Sequence, residues 1–377
     1  MASESSVRVG GVQIGGGAPV VVQSMTLTKT HDVPATTAQI AALVGAGCEV
    51  VRVAVPKLED AEALPKIIRF SPIPVIADIH FNASLALKAI EAGVAAVRIN
   101  PGNIGGPEKV EQVVRAAKKR NTPMRIGANS GSLPKHLEEL AQEDQAEALV
   151  EAALEEVRLL EKLDYRNFKI SVKSSHVPTM IRAYRILASK VPYPLHLGVT
   201  EAGPPSTGAI KSAIGLGSLL ADGIGDTIRV SLTADPVEEV KVAWEILKSL
   251  GLRERGPILI ACPSCGRDNV GVQTLAEAVE DRLRAYPEHF EVAVLGCAVN
   301  GPGESGDADF GIAGGRETGF IYAHGKVLRK VESGILVDEL FREIDAWIAA
   351  GMQRPERRKH AKPAALAMAE ASAIPLE

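Results

Sequence analysis

The chain has 377 residues, 46% of them hydrophobic, which is enough for two domains with substantial cores. Its formal net charge is −4, so the composition gives no reason to expect nucleic acid or a membrane surface as a partner. No apolar run is long enough for a transmembrane helix, and the N-terminus shows no signal-peptide pattern, so we expect a cytoplasmic location. Four cysteines in such a chain favour metal or redox use over a disulfide framework.

Short apolar strands alternate with helical segments through the first two thirds of the chain. A small hairpin around Gly10-Gly11 comes first. The predicted strands that follow are residues 19–23, 50–54, 74–78, 95–100, 124–127, 168–173, 194–199 and 227–231. The predicted helices are residues 36–46, 58–69, 83–92, 108–120, 136–163, 178–189, 207–221 and 236–249. Eight strand–helix units in about 230 residues indicate a (β/α)8 TIM barrel. A doubly wound open sheet is the alternative, but no Gly-x-Gly-x-x-Gly follows the first strand.

Polar side chains follow the ends of nearly all these strands, where TIM barrels place their catalytic groups. Five of them are cations: Arg52, Arg98, Arg125, Lys173 and Arg229. Five cations meeting at one barrel mouth would repel one another, so we predict that an anion with several charges, such as a phosphate or diphosphate, binds there. For any single one of these residues, pairing with a local carboxylate is the alternative.

Three further strand-end residues can exchange protons: Asp78, His80 and Glu201. For each of them singly, a structural His or a carboxylate that merely orients an Arg is an equally open interpretation. Cys48 lies at the opposite end of its strand from Arg52, so we expect it to be a small core residue.

A second, smaller α/β domain is predicted after the barrel. Residues 1–250 form the barrel domain, 251–257 the linker, 258–351 the second domain and 352–377 a disordered tail. The strands predicted in the second domain are residues 258–262, 291–295, 310–313, 319–323 and 326–330, and the helices are 272–285 and 335–350.

Three thiols and one carboxylate lie in two turns of this second domain. Cys262 and Cys265 form a C-x-x-C motif, and Cys297 and Glu304 follow the next strand. Thiols in this number suit an iron–sulfur cluster, which four Cys thiolates normally hold. A carboxylate in the fourth place would leave a position open to substrate. A structural zinc site and unligated buried cysteines are the alternatives.

Eight segments of the chain, in one order, resemble the 4-hydroxy-3-methylbut-2-enyl diphosphate synthases, the iron–sulfur enzymes of the non-mevalonate isoprenoid route, in their two-domain bacterial form. The segments are Val22-Gln-Ser-Met-Thr26, Ala77-Asp-Ile-His-Phe81, Arg98-Ile-Asn-Pro-Gly-Asn-Ile-Gly105, Arg125-Ile-Gly-Ala-Asn-Ser-Gly-Ser-Leu133, Ser171-Val-Lys-Ser-Ser175, His196-Leu-Gly-Val-Thr-Glu-Ala-Gly203, Cys262-Pro-Ser-Cys-Gly-Arg267 and Gly296-Cys-Ala-Val-Asn-Gly-Pro-Gly-Glu304. The resemblance covers roughly residues 7–350, and departures such as Ala261 before the C-x-x-C remove no proposed ligand.

The resemblance implies an oxidoreductase that opens 2-C-methyl-D-erythritol 2,4-cyclodiphosphate reductively and dehydrates it to (E)-4-hydroxy-3-methylbut-2-enyl diphosphate. It implies a 4Fe-4S cluster held by Cys262, Cys265, Cys297 and Glu304, with Glu201 supplying protons and Asp78 and His80 in support. The implied substrate-binding residues are Arg52, Arg98, Asn100, Arg125, Asn129, Lys173, Thr200, Arg229 and Ser231. Electrons would come one at a time from flavodoxin or ferredoxin.

A homodimer with composite sites is also expected, because the short linker starts on the face of the barrel opposite the mouth. The resemblance points to the same arrangement. Two alternatives from other classes remain at this point: a barrel transferase of the dihydropteroate synthase type with a structural zinc site, and a non-catalytic iron–sulfur sensor.

Overall fold

The computed structural model of the protein describes residues 3–100, 104–265, 268, 271–297, 308–315 and 317–354. The chain divides into two compact units between Arg253 and Glu254. Glu304 lies outside the described residues, and so does the predicted tail beyond Arg354. No helix within the described ranges is long and apolar enough to cross a membrane.

The first unit contains an eight-stranded parallel barrel. A hairpin of β1 (Ser6–Val9) and β2 (Val12–Gly15) precedes it. The barrel strands are β3 (Val21–Met25), β4 (Val50–Ala54), β5 (Val75–Asp78), β6 (Ala96–Arg98), β7 (Met124–Ile126), β8 (Phe168–Ile170), β9 (His196–Leu197) and β10 (Thr227–Ile228). They are ordered β8-β7-β6-β5-β4-β3-β10-β9, and a parallel bridge between Ile170 and Leu195 joins the two ends. This closure confirms the predicted (β/α)8 barrel over the open sheet.

Helices connect the barrel strands. They are α1 (Val33–Ala46), α2 (Leu58–Phe70), α3 (Ala83–Ala92), α4 (Pro107–Arg120), α5 (Glu138–Glu143), α6 (Gln145–Lys162), α7 (Val177–Lys190), α8 (Pro205–Ala221) and α9 (Pro236–Ser249). Several begin at a side-chain cap, as α1 does, where Asp32 accepts a hydrogen bond from the Ala35 backbone N–H.

The single helix predicted for residues 136–163 is wrong. Asp144 is extended (φ −147°, ψ 92°), and its side chain accepts hydrogen bonds from the backbone N–H groups of Ala146 and Glu147. It therefore caps α6 and separates it from the short helix α5. Two 3₁₀ turns, Ser130–Ser132 and Lys135–Leu137, precede α5.

The barrel core lies between the strands and the surrounding helices, and a second apolar cluster closes the bottom of the barrel. Val7, Val9 and Ile14 of the hairpin are buried against the first residues of the strands, among them Val21 and Val50. Cys48 is buried in the main core, as predicted. The barrel is therefore closed at its N-terminal end, and its polar groups gather at the other.

The second unit is a five-stranded sheet with two helices. Its strands are β11 (Ile258–Ala261), β12 (Glu291–Leu295), β13 (Phe310–Ala313), β14 (Thr318–Ala323) and β15 (Lys326–Glu332), and its helices are α10 (Val272–Leu283) and α11 (Leu336–Ala349). The strands pair in chain order, with β11, β12 and β13 parallel and β13, β14 and β15 antiparallel. Both helices contribute to one apolar core with the sheet, through residues such as Val279 and Phe341.

Candidate active site

The five predicted cations lie together at the C-terminal end of the barrel. Arg98 and Arg125 are direct neighbours in the register of β6 and β7. Arg52, Arg125 and Lys173 are buried, and the side chains of Arg98 and Arg229 are each 16% exposed. Burial, and then the positive charges of the four arginines, hold the pKa of Lys173 well below its ordinary value. This mutual electrostatic effect indicates that the five side chains share one region of positive potential.

Asp78 neutralises two of these cations. Its carboxylate lies 3.3 Å from Arg52 Nε and 3.2 Å from Arg98 Nη1. Burial alone would raise the pKa of Asp78, but the attraction of Arg52, together with His80 and Arg98, outweighs it and lowers that pKa far below its usual value. An ionised carboxylate has no proton to give. We therefore interpret Asp78 as a group that fixes the two arginines.

Glu239 neutralises a third cation, although it was not among the predicted residues. It belongs to α9 and is 3% exposed. Both of its carboxylate oxygens lie 3.4 Å from Arg229 Nη2. The same carboxylate accepts hydrogen bonds from Ser24 Oγ at 3.2 Å and from the Leu232 backbone N–H at 2.9 Å.

The remaining two cations, Arg125 and Lys173, contact no carboxylate in the described part of the chain. Arg125 donates from Nε and Nη2 to Ser171 Oγ at 3.1 and 2.6 Å, and its buried Nη1 has no partner there. Burial, followed by the charges of neighbouring arginines, disfavours the charged form of Arg125 and lowers its pKa. An arginine stays protonated nonetheless, and a bound anion would also favour the charged form of Lys173, so these two side chains gain most from an anion.

The other predicted binding residues surround these cations. Asn129 forms a parallel bridge with Lys173, and Thr200 donates its backbone N–H to Ser174 O at 3.4 Å. Asn100 and Ser231 are partly exposed and follow the ends of β6 and β10.

His80 and Glu201 are the exposed members of the group that was predicted to exchange protons. His80 is 53% exposed, and its Nδ1 lies 2.9 Å from Arg98 Nη1. Glu201 is exposed and has φ = 54°, in the left-handed region that side-chain-bearing residues seldom adopt. A left-handed backbone conformation at a residue with a side chain persists only where the surrounding structure imposes it.

A second carboxyl group that sequence reasoning missed, Glu156 of α6, holds the end of β7. It accepts a hydrogen bond from the Gly127 backbone N–H at 2.7 Å, and burial raises the pKa of Glu156 to about 8. Gly127 has φ = 139°, and a Cβ there would lie 1.8 Å from the carbonyl oxygen of Ser171. Strands β7 and β8, which carry the residues around Arg125, are therefore in very close contact at this point.

A layer of buried polar groups lies beneath the mouth. Lys169 Nζ lies 3.5 Å from Gln23 Oε1. Burial, together with the charges of Arg125 and Arg52, lowers the pKa of Lys169 to about 7. His196 is fully buried, and its pKa is also lowered by burial and by these cations. The positive potential of the mouth cations thus reaches into the barrel interior, where it disfavours the charged forms of Lys169 and His196.

The cysteines of the second unit lie at the ends of two adjacent parallel strands. Cys262 follows β11, its backbone N–H donates to Val294 O of β12, and its Sγ accepts the Gly296 N–H at 3.2 Å. Cys297 is buried just beyond β12, whereas Cys265 is exposed. Among the residues that the structure describes, no three His, Cys, Asp or Glu side chains form a group ready to hold a metal ion.

These donors nevertheless fit an iron–sulfur cluster chemically. Thiolates are the usual ligands of such clusters, and backbone N–H groups directed at sulfur, as at Cys262, tune them. Because Glu304 lies outside the described residues, the four-ligand set remains a prediction.

Comparison with known proteins adds an independent line of evidence. The family model described as the GcpE TIM-barrel domain matches residues 4–244, and that of the GcpE protein C-terminal domain matches residues 258–346. The chain is also similar to curated proteins named 4-hydroxy-3-methylbut-2-en-1-yl diphosphate synthase (flavodoxin). The relative from Geobacter sulfurreducens is 55% identical and covers 92% of this chain and 99% of its own. Those from Maridesulfovibrio salexigens and Exiguobacterium sibiricum are 57% and 53% identical, covering 90% and 91% of this chain and 95% and 93% of their own.

The alternatives of a dihydropteroate-synthase-like transferase and of an iron–sulfur sensor find no support among these relatives. The matched family models together cover both units of the chain, and the identities extend over nearly its whole length. The chain belongs to the GcpE family, the family of the 4-hydroxy-3-methylbut-2-en-1-yl diphosphate synthases.

Proposed function

We propose that this chain converts 2-C-methyl-D-erythritol 2,4-cyclodiphosphate into (E)-4-hydroxy-3-methylbut-2-enyl diphosphate in isoprenoid biosynthesis. The substrate takes up two electrons and one proton. The bond from carbon to the bridging phosphate oxygen breaks, a hydroxyl group leaves as water, and an alkene forms. The observation that carries the proposal is the cationic barrel mouth, in which Arg125 and Lys173 contact no carboxylate within the described residues.

The diphosphate would be bound chiefly by these two side chains, because they gain most from a new counter-ion. Arg52 and Arg98, already paired with Asp78, would add hydrogen bonds in an orientation that Asp78 fixes. Asn100, Asn129, Thr200 and Ser231, at the rim, would bind the remaining phosphate oxygens and the substrate hydroxyls.

Glu201 would donate the proton that converts the leaving hydroxyl into water. It is the exposed carboxyl group among the predicted mouth residues, and its backbone has the left-handed conformation that is often found at functional sites. His80, hydrogen-bonded to Arg98, would orient that arginine rather than act on the substrate.

We propose that a 4Fe-4S cluster is the redox group of this protein and that Cys262, Cys265, Cys297 and Glu304 would hold it. When bound, such a cluster supplies electrons one at a time. The relatives are named for flavodoxin, so flavodoxin is the first choice as electron donor, with ferredoxin as the second. We also propose a cytoplasmic location and a homodimer in which barrels and cysteine-bearing domains of two chains build composite sites.

The proposal is tested by anaerobic turnover of the cyclodiphosphate with a strong one-electron reductant, following the allylic diphosphate product. Arg125→Ala should weaken substrate binding by about 1.5–3 kcal/mol, the usual value of a hydrogen bond to a charged group. Arg115→Ala is the matched control, because Arg115 of α4 is 78% exposed and pairs only with Glu111 in the described structure. Equal affinity of Arg125→Ala and wild-type protein would mean that the diphosphate binds elsewhere.

A further inference from the structure

Glu239 places a negative charge beside a site that is proposed to bind a diphosphate. It is one of two buried carboxylates that contact the mouth cations among the described residues, the other being Asp78. A buried carboxylate near an anion site opposes anion binding by simple Coulomb repulsion. A buried carboxylate at this position therefore needs a favourable effect that outweighs its repulsion of the anion.

The contacts of Glu239 suggest that effect. Its two oxygens face Arg229 Nη2 at equal distances of 3.4 Å, while Ser24 and the Leu232 backbone N–H hold the carboxylate itself in place. These contacts join β3, the end of β10 and the first turn of α9. The carboxylate is thus fixed independently of the arginine.

The contact with Glu239 does not use all the hydrogen-bond donors of Arg229. Its Nε is buried and has no partner within the described residues, and its one ion pair there is with Glu239. A long side chain that is held at one nitrogen keeps its other donors pointing in a fixed direction, so less rotamer freedom is lost when an anion binds.

We propose that Glu239 is a positioning residue that holds Arg229 ready for the phosphate oxygens of the substrate. The inference rests on the proposed function of the barrel mouth, which it extends to a residue of α9. Glu239 does not touch the substrate in this proposal and acts through Arg229 alone.

The direction in which one substitution changes the affinity for the anion distinguishes a positioning role of Glu239 from a purely electrostatic one. Glu239→Gln can keep its one oxygen on the Leu232 backbone N–H, because the Ser24 hydroxyl, which binds the other oxygen, can also accept from the amide group. The amide then presents a donor instead of a charged acceptor to Arg229. If Glu239 merely added negative charge, its removal would tighten anion binding. If it positions Arg229, binding weakens, by about tenfold for one charged hydrogen bond.

The experiment is a calorimetric titration of the full-length protein with the cyclodiphosphate. Glu238→Gln is the matched control, because Glu238 neighbours Glu239 on the same helix, carries the same charge and is 47% exposed in a pair with Lys241. We expect about tenfold weaker binding for Glu239→Gln and a change of less than about twofold for Glu238→Gln. Thermal unfolding of each variant shows whether it is folded at the titration temperature.

A double-mutant cycle with Arg229→Ala completes the test. If Glu239 acts through Arg229, adding Glu239→Gln to Arg229→Ala causes no further loss of affinity. Unchanged or tighter binding in Glu239→Gln, or additive losses in the cycle, would overturn the inference. If Arg229→Ala binds normally while Arg125→Ala does not, this inference fails and the proposed function stands; if neither weakens binding, the proposed function fails too.

Discussion

At the scale of single residues, the charges of the barrel mouth are divided unequally. Among the described residues, Asp78 and Glu239 compensate Arg52, Arg98 and Arg229, whereas Arg125 and Lys173 contact no carboxylate. A buried charge without a partner destabilises the folded chain. The mouth is therefore built to bind an anion at a cost to the stability of the folded chain, as functional sites often are.

Lys173 makes substrate binding dependent on pH. Its pKa is lowered by burial and by the surrounding arginines, and a bound diphosphate would raise that pKa again. Binding should therefore take up protons, and affinity should fall as the pH rises from the lowered pKa of free Lys173 toward its higher pKa in the complex. Calorimetry in two buffers of different ionisation enthalpy measures the uptake. Lys173→Met should bind more weakly and take up fewer protons, and an unchanged uptake would assign the proton to another group.

Glu201 should show a conflict between stability and activity. A glutamate at φ = 54° costs about 1 kcal/mol relative to a glycine in the same conformation. Glu201→Gly should thus raise the free energy of unfolding by about 1 kcal/mol while activity is lost, and Glu201→Gln should lose activity with little change in stability. Denaturant unfolding and anaerobic turnover are the two measurements. Full turnover in Glu201→Gln would exclude Glu201 as the proton donor.

At the scale of elements, the contact between β7 and β8 is the most sensitive point of the mouth. In Gly127→Ala the new methyl group would overlap the Ser171 carbonyl, and the strands would have to separate. We expect a loss of about 2–4 kcal/mol in the free energy of unfolding, together with weaker substrate binding, because Ser171 also holds Arg125. Gly131→Ala is the control, since a Cβ there meets no atom within 4 Å. Equal stability of the two variants would show that the strands can shift without cost.

The order and type of these elements could be predicted because buried parallel strands are continuous apolar runs. The strand Val50–Ala54 and the helix Ala83–Ala92, for example, have the predicted limits. The mouth cations could be located for the same reason, as strand ends meet on one face of a barrel. The prediction failed for residues 136–163, because the cap at Asp144 divides a segment whose sequence pattern is continuously helical.

Glu156 and Glu239 could not have been found in this way. Each lies on a helix, and a single glutamate in an amphipathic helix pattern is indistinguishable from a solvated one. Only the packing of α6 and α9 on the barrel brings these carboxyl groups to Gly127 and Arg229. The charge pattern gave a weak signal, because five clustered cations, three of them buried, require some compensating carboxylates.

At the scale of the whole molecule, Arg253 determines where the chain leaves the barrel. Its guanidinium lies 2.6 Å from Val20 O and 2.9 Å from Glu49 Oε1, and it stacks over Trp244 at 4.9 Å. Val20 and Glu49 precede β3 and β4, so Arg253 is bound at the end of the barrel opposite the mouth. The connection to the next strand is then residues 254–257, which reach about 14 Å when fully extended.

This short reach favours the proposed homodimer. Helix α9 has 14 residues and returns the chain by about 21 Å from the mouth to the opposite end. A four-residue connection is shorter than that length, which is the reason for proposing that a second chain, placed head to tail, supplies its cysteine-bearing domain.

Complementation between two inactive variants tests the shared site. Arg98→Ala removes a mouth cation, and Cys297→Ala removes a predicted cluster ligand, so each homodimer should be inactive. After subunit exchange, a mixed dimer has one site with an intact barrel and an intact cysteine-bearing domain, and random mixing should restore about one quarter of wild-type activity. Mass spectrometry of the intact dimers verifies that mixing has occurred. Mixed dimers without activity would mean that each chain completes its own site.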